Sequence, residues 1–180
     1  MTTEQAYDTE ASKCKSLFSS KLKDYGCAWR VLRLPSYTDQ LYIKAQRLRT
    51  IQSNDSQKVK DTQEDEFKGL VNYSVMAMIQ IRLGVVDQPD LTTQEAEEYF
   101  DEQLESSRSL MLNKNHDYGE AWREMRISSL TDLIYQKLLR IKSIEDNKGK
   151  TTVSEGIKAN FQDIINYALF ALILMDEKKI

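Results

Sequence analysis

Proline, glycine, cysteine and histidine are all scarce. The 180-residue chain has two prolines and six glycines, so regular structure is interrupted at few places and its elements should be long. Alternation of β-branched with polar residues is nearly absent too, which makes those elements helices rather than strands. The two cysteines, Cys14 and Cys27, form no CxxC pair; they read as ordinary reduced thiols, not as a disulfide frame or a thiolate metal site. His116 is the one histidine, so no imidazole pair can bind a transition metal. A nucleophile–histidine–aspartate pattern, a P-loop and a glycine-rich dinucleotide fingerprint are all missing.

A surplus of positive charge is also missing. The formal net charge is −3, which makes polymeric nucleic acid a poor partner while leaving room for a small anion held by a few local cations. Long apolar runs are absent as well. "IINYALFALILM" (164–175) is interrupted by Asn166; it is too short to cross a bilayer and reads as a buried helix. No apolar stretch near the first residues resembles a secretion signal, so a cytoplasmic protein without a membrane partner is expected. A length of 180 residues suits one domain with its own core.

What the sequence does contain is a repetition. "DYGCAWRVLRLPSYTDQLYIKAQRLRTI" (24–51) aligns without a gap on "DYGEAWREMRISSLTDLIYQKLLRIKSI" (117–144). One inserted residue later, "FKGLVNYSVMAMI" (67–79) aligns on "FQDIINYALFALI" (161–173). Two copies are too few for a solenoid. The expectation is an all-α, single-domain helical bundle over 1–180, built from two tandem three-helix repeats with pseudo-two-fold symmetry. Repeat 1 should cover about 3–84 and repeat 2 about 93–177. The helices are expected over about 3–22, 37–53 and 62–83, then 93–113, 130–146 and 154–177. "GVVDQPD" (84–90) is the joint.

The helix faces raise a question of charge. On a helical wheel the second helix of repeat 2 buries Leu133, Ile134, Ile141 and Ile144, with Lys137 inside that arc and Arg140 at its edge. Lys44 and Arg47 repeat the placement. Inward cations require an anion. Internal aspartates, a ligand phosphate or carboxylate, and snorkelling to solvent all remain open. Asp163, Asn166 and Tyr167 cluster on the first turns of the last helix, and buried polar groups of that kind need partners. Repeat 1 has Gly69 in place of Asp163, and Cys27 and Val31 in place of Glu120 and Glu124. Glu120, Glu124 and Asp163, with Glu155 as a further candidate, are the carboxylates that could hold magnesium if the helices converge. Solvation of the two surface glutamates is the alternative. Tyr118 and Trp122 could either plug the bundle or stack on a base. His116 reads as a solvated side chain, since Lys23 takes its place in repeat 1.

The combined pattern K-x-x-D-Y-G-x-x-W, D-x-x-x-x-K-x-x-R-I and D-x-x-N-Y-A resembles the nucleotide modification associated domain of the first type, a family of bacteria and their phages. Repeat 2 carries it as Lys114, Asp117, Tyr118, Gly119, Trp122, Asp132, Lys137, Arg140, Asp163, Asn166, Tyr167 and Ala168; repeat 1 departs from it at Leu48, Gly69 and Ser74. The resemblance implies a link to nucleotide metabolism or base modification. The inward acidic and basic residues also look like those of MazG-type all-α pyrophosphatases, although the Glu-x-x-Glu and Glu-x-x-Asp pair of that group has no clean copy here.

The resulting expectation is a nucleotide or phosphate ligand in a pocket of repeat 2. Asp117, Tyr118, Trp122, Lys137, Arg140, Asn166 and Tyr167 would line it, and Glu120, Glu124 and Asp163 would hold magnesium. Any catalysis would be magnesium-dependent hydrolysis of a nucleoside triphosphate to release pyrophosphate. The alternative is a non-catalytic bundle whose Asp, Lys and Arg groups pair internally and whose surface mediates assembly, which includes a homo-oligomer.

Overall fold

A computed structural model describes residues 1–54, 62–151 and 156–178. It contains six α-helices: α1 (Thr3–Tyr25), α2 (Leu34–Ser53), α3 (Gln63–Leu83), α4 (Thr93–Tyr118), α5 (Ile127–Asp146) and α6 (Ile157–Lys178). Single 3-10 turns, Ala28–Val31 and Ala121–Glu124, precede α2 and α5. No strand occurs among the described residues, and none of their helices is long and apolar enough to cross a membrane. The all-α tandem repeat expected from the sequence is thus the fold.

Helix ends follow local chemistry. Thr2, Thr62 and Thr92 each close a capping box, with Gln5, Asp65 and Glu95 respectively returning the hydrogen bond. These reciprocal bonds satisfy backbone donors that would otherwise be orphaned in the first turn. Helices α1 and α4 run further than the wheel pattern suggests, through the Asp-Tyr of the repeated string. They stop at Gly26 and Gly119, whose φ of 59° and 66° side-chain-bearing residues adopt only at a cost. Helices α2 and α5 both start three residues earlier than expected, at Leu34 and Ile127; Pro35 sits in the first turn of α2, where a missing N–H costs nothing.

Helices α3 and α6 lie against each other in the middle, with α2 and α5 on one side and α1 and α4 on the other. The central position explains why α6 is apolar nearly all round: its buried set runs from Asn160 and Phe161 to Leu174 and Met175. A pseudo-two-fold axis passes between equivalent residues. Tyr42 and Tyr135 share a hydrogen bond of 2.9 Å, with Lys142 over the first ring and Arg49 over the second. Across α1 and α4, Lys15 pairs with Asp101 at 2.6 Å while its counterpart Arg108 pairs with Asp8 at 2.7 Å.

The repeated string itself builds a corner. The Arg30 side chain is 1% exposed. It donates to Asp90 at 2.9 Å, to the Gly84 carbonyl at 2.7 Å and to Gln80. Its counterpart Arg123 donates to both Glu177 oxygens, at 2.8 and 2.7 Å, and to the Thr3 hydroxyl at 3.1 Å. Each motif arginine therefore joins the end of its own repeat's third helix to the approach to the other repeat's first helix. Charged forks of this kind fix geometry as well as adding energy.

Candidate functional site

In repeat 2 the inward lysines meet an internal acid. Asp163 is buried, and its two oxygens accept from Lys114 at 2.7 Å and Lys137 at 2.8 Å. Next along α6, Asn166 donates to the Ser107 carbonyl at 3.1 Å and accepts from the Tyr7 hydroxyl at 2.8 Å. Burial, reinforced by the charge of Asp163, pushes the Tyr167 phenol up. Trp122 is buried and lies flat on Phe170, with ring centroids 4.2 Å apart and planes 4° from parallel.

The remaining candidates lie outside this cluster. Asp117 is exposed beside His116, at 3.1 Å, and Tyr118 is 79% exposed. Arg140 borders a shallow depression with Gln136, Leu139, Ser143 and Ile144. Glu120 pairs with Arg123 at 3.0 Å and Glu124 is exposed. Glu155 lies outside the described residues. Among the described residues no three His, Cys, Asp or Glu side chains are grouped so as to hold a metal ion. Asp163, engaged by two ammonium groups, does not fit the part of a magnesium ligand.

Repeat 1 holds a cavity with both charged and aromatic walls. A cavity of about 430 Å³ is lined by Lys21, Tyr25, Trp29, Lys44, Asp65, Glu66, Gly69, Asn72, Tyr73 and Met76, closed behind by Leu17, Phe18 and Leu22. Its volume lies within the range of small-molecule sites. Two of its lining residues differ from their counterparts in repeat 2. Gly69 stands where repeat 2 has Asp163, and Met76 where it has Phe170. The end of Lys44 takes up the space beside Gly69, where a Cβ would lie 2.9 Å from its Cε and 3.0 Å from its Nζ.

The cations of the cavity are not fully matched. Glu66 is engaged by Arg47 at 2.6 Å and is 3.7 Å from Lys44. Asp65 caps α3 by accepting from Thr62, which holds its carboxyl below the usual range. Lys21 has no described carboxylate within ion-pair distance. Lys44 also lies 5.4 Å from the Tyr73 ring centroid. Trp29 meets Phe18 tilted at 59°, and no described ring lies parallel to it. Two unpartnered atoms are less informative. The indole N–H is unsatisfied in both Trp29 and Trp122, so it belongs to the shared fold. Asn72 Oδ1 is unpartnered because Phe100 stands where Tyr7 would offer a hydroxyl.

Glycine opposite aspartate looks in the sequence like a repeat that has lost a polar corner, which directs attention to repeat 2. The methionine opposite Phe170 carries no polar signal at all. The alignment holds both differences, but their meaning as space appears only once α3 and the Trp29 corner are packed together.

Comparison with known proteins places the repeats. No curated protein and no solved structure matches the chain, so the likeness to MazG-type pyrophosphatases has no match behind it. A family model described as nucleotide modification associated domain 1 matches residues 21–81 and again 114–175. Together the two segments span more than half of the chain, one in each repeat, and the protein belongs to the nucleotide modification associated domain 1 family, carrying its domain twice in tandem.

Proposed function

We propose that the protein binds a nucleotide, and that the ligand enters the cavity of repeat 1. One observation carries this reading. The cavity combines two cations, Lys21 with no described ion-pair partner and Lys44 sharing Glu66 with Arg47, with the aromatic side chains Trp29, Tyr25 and Tyr73. Ammonium groups beside a phosphate and an indole beside a base are the interactions by which proteins hold nucleotides. Membership of a family linked by its description to nucleotide modification points the same way. A magnesium-dependent pyrophosphohydrolase would need carboxylates converging on a metal, and the described residues do not supply them. The proposal is therefore for binding.

Calorimetric titration of the full chain with nucleotides, with and without magnesium, tests it, and pyrophosphate release is followed in parallel. Binding lost in Lys21→Ala and Lys44→Ala supports the reading; no heat with any nucleotide overturns it. The second reading, a structural bundle with internally paired charges, is favoured by Asp163 lying between two lysines. It predicts no ligand effect in either repeat.

A further inference from the structure

We infer that repeat 2 is a self-filled copy of the site, and that the groups filling it describe the ligand of repeat 1. In repeat 2 the third helix of the repeat supplies two plugs. The Asp163 carboxylate sits between Lys114 and Lys137, and the Phe170 ring stacks on Trp122 at 4.2 Å. Repeat 1 keeps every receptor: Lys21, Lys44 and Trp29 are the counterparts of Lys114, Lys137 and Trp122. It lacks both plugs, having Gly69 and Met76; both of these line the cavity, and the end of Lys44 lies against Gly69.

An anion and a flat ring are thus provided from within in one repeat and missing from the other. The plugs are seven residues apart on one helix, which separates their backbones by about 10 Å along the axis. A nucleoside monophosphate carries the same two groups joined through a sugar. Its phosphate takes the place of the Asp163 carboxylate, between Lys21 and Lys44, and its base takes the place of Phe170, flat on Trp29. Repeat 2 then binds nothing, and the protein has one site per chain. The alternative ligands the cavity charge allows, inorganic phosphate or a sugar phosphate, would leave the indole face unused.

This inference rests on the repeat 1 cavity being the nucleotide site, and the test separates the two. Calorimetry on the full chain uses the common ribo- and deoxyribonucleoside 5′-monophosphates, with ribose 5-phosphate as a probe lacking a base. The expected result is one site per chain for at least one mononucleotide, with ribose 5-phosphate at least about tenfold weaker, since stacking on an aromatic contributes on the order of 1–3 kcal/mol per base. Gly69→Asp installs the anion plug and Met76→Phe the ring plug. Each should weaken binding at least tenfold while keeping or raising the thermal midpoint; for Gly69→Asp, the three atoms nearest to a Gly69 Cβ all belong to the flexible end of Lys44. Asp163→Gly combined with Phe170→Met should open repeat 2 and raise the stoichiometry to two. That variant opens a core space, so the single variants in repeat 1 decide the matter whether or not it folds. Binding abolished by Lys44→Ala but untouched by both Gly69→Asp and Met76→Phe overturns the plug inference and leaves the nucleotide site standing. Absence of any mononucleotide binding to the wild type, with nucleoside triphosphates bound, also overturns the plug inference alone. Absence of binding to every nucleotide removes both.

Discussion

Replacing Asp163 by asparagine keeps shape and removes one charge, which makes the energetics of the repeat 2 cluster measurable. The two partners differ in exposure: the Lys114 side chain is 47% exposed and Lys137 12%. Lys114 can return to water, so its share is that of a surface pair, at most about 1 kcal/mol. Lys137 has less freedom to do so. A hydrogen bond to a charged group contributes about 1.5–3 kcal/mol, and stripping a partner from a buried ion costs about 3–5 kcal/mol at full burial. Partial access for Lys137 lowers that ceiling, and the sum comes to about 3 kcal/mol. For a chain of this length the loss lowers the melting temperature by about 6–12 °C. Urea unfolding, with the slope compared between variants, is the assay. Asp101→Asn is the control. It breaks the Lys15 pair, whose side chains are 37% and 52% exposed, and should cost less than about 1 kcal/mol. In the Asp163→Asn background, Lys137→Met should restore most of the loss, because the stranded charge is gone. An Asp163→Asn variant within about 0.5 kcal/mol of wild type would refute the reasoning, as would a double variant less stable than the single one.

Other expectations follow from single contacts. Burial raises the Glu145 carboxyl pKa, and its Oε2 has no partner. Because the folded value lies above the unfolded one, ionisation of Glu145 opposes folding at neutral pH, and that penalty disappears below an unfolded pKa of about 4.3. Glu145→Gln should therefore raise the melting temperature at pH 7 and change it little at about pH 4, giving the residue the chemistry of its counterpart Gln52, which donates to Thr131 at 2.9 Å. Phe100→Tyr should offer a hydroxyl to the orphan Asn72 Oδ1, as Tyr7 does for Asn166, and add about 1 kcal/mol in a denaturant titration. Arg30→Ala strands Gln80 and opens the corner where Gly84 and Asp90 meet. Asp90, 43% exposed, can return to water, so the cost should be about 2–3 kcal/mol by the same titration, from the stranded amide and carbonyl, still more than for an exposed arginine.

Much of the architecture was legible because it depends on spacing. The 93-residue offset, one inserted residue and the apolar stripes determine six helices and their symmetry before any contact is known. The start of α4 fell where the sequence puts it, at about residue 93. Inward placement of Lys137 was legible too, but its partner was not, since an acid and a phosphate satisfy the same wheel. Asp117 and Tyr118 illustrate the limit. They belong to the most recognisable string in the chain, yet they end a helix in solvent, while the arginine five positions on from Tyr118 forms the corner. Motif strength tracks what a turn requires of its backbone as readily as what a ligand requires. Cavities are the hardest to read, because Gly69 and Met76 act through the bulk they lack.

The Arg123 clasp has a topological consequence. One guanidinium touches both Thr3 and Glu177, so the start of the first helix and the end of the last lie side by side, at the counterpart of the corner where residues 84–90 join α3 to α4 by covalent bonds. The bundle is in effect a ring of two equal arcs, closed at one seam by peptide and at the other by hydrogen bonds. Chain order is then a convention the fold does not depend on. A circular permutant that starts within 84–90 and runs from α6 into α1 through a short polar linker keeps every helix pair, and it exchanges which seam is covalent.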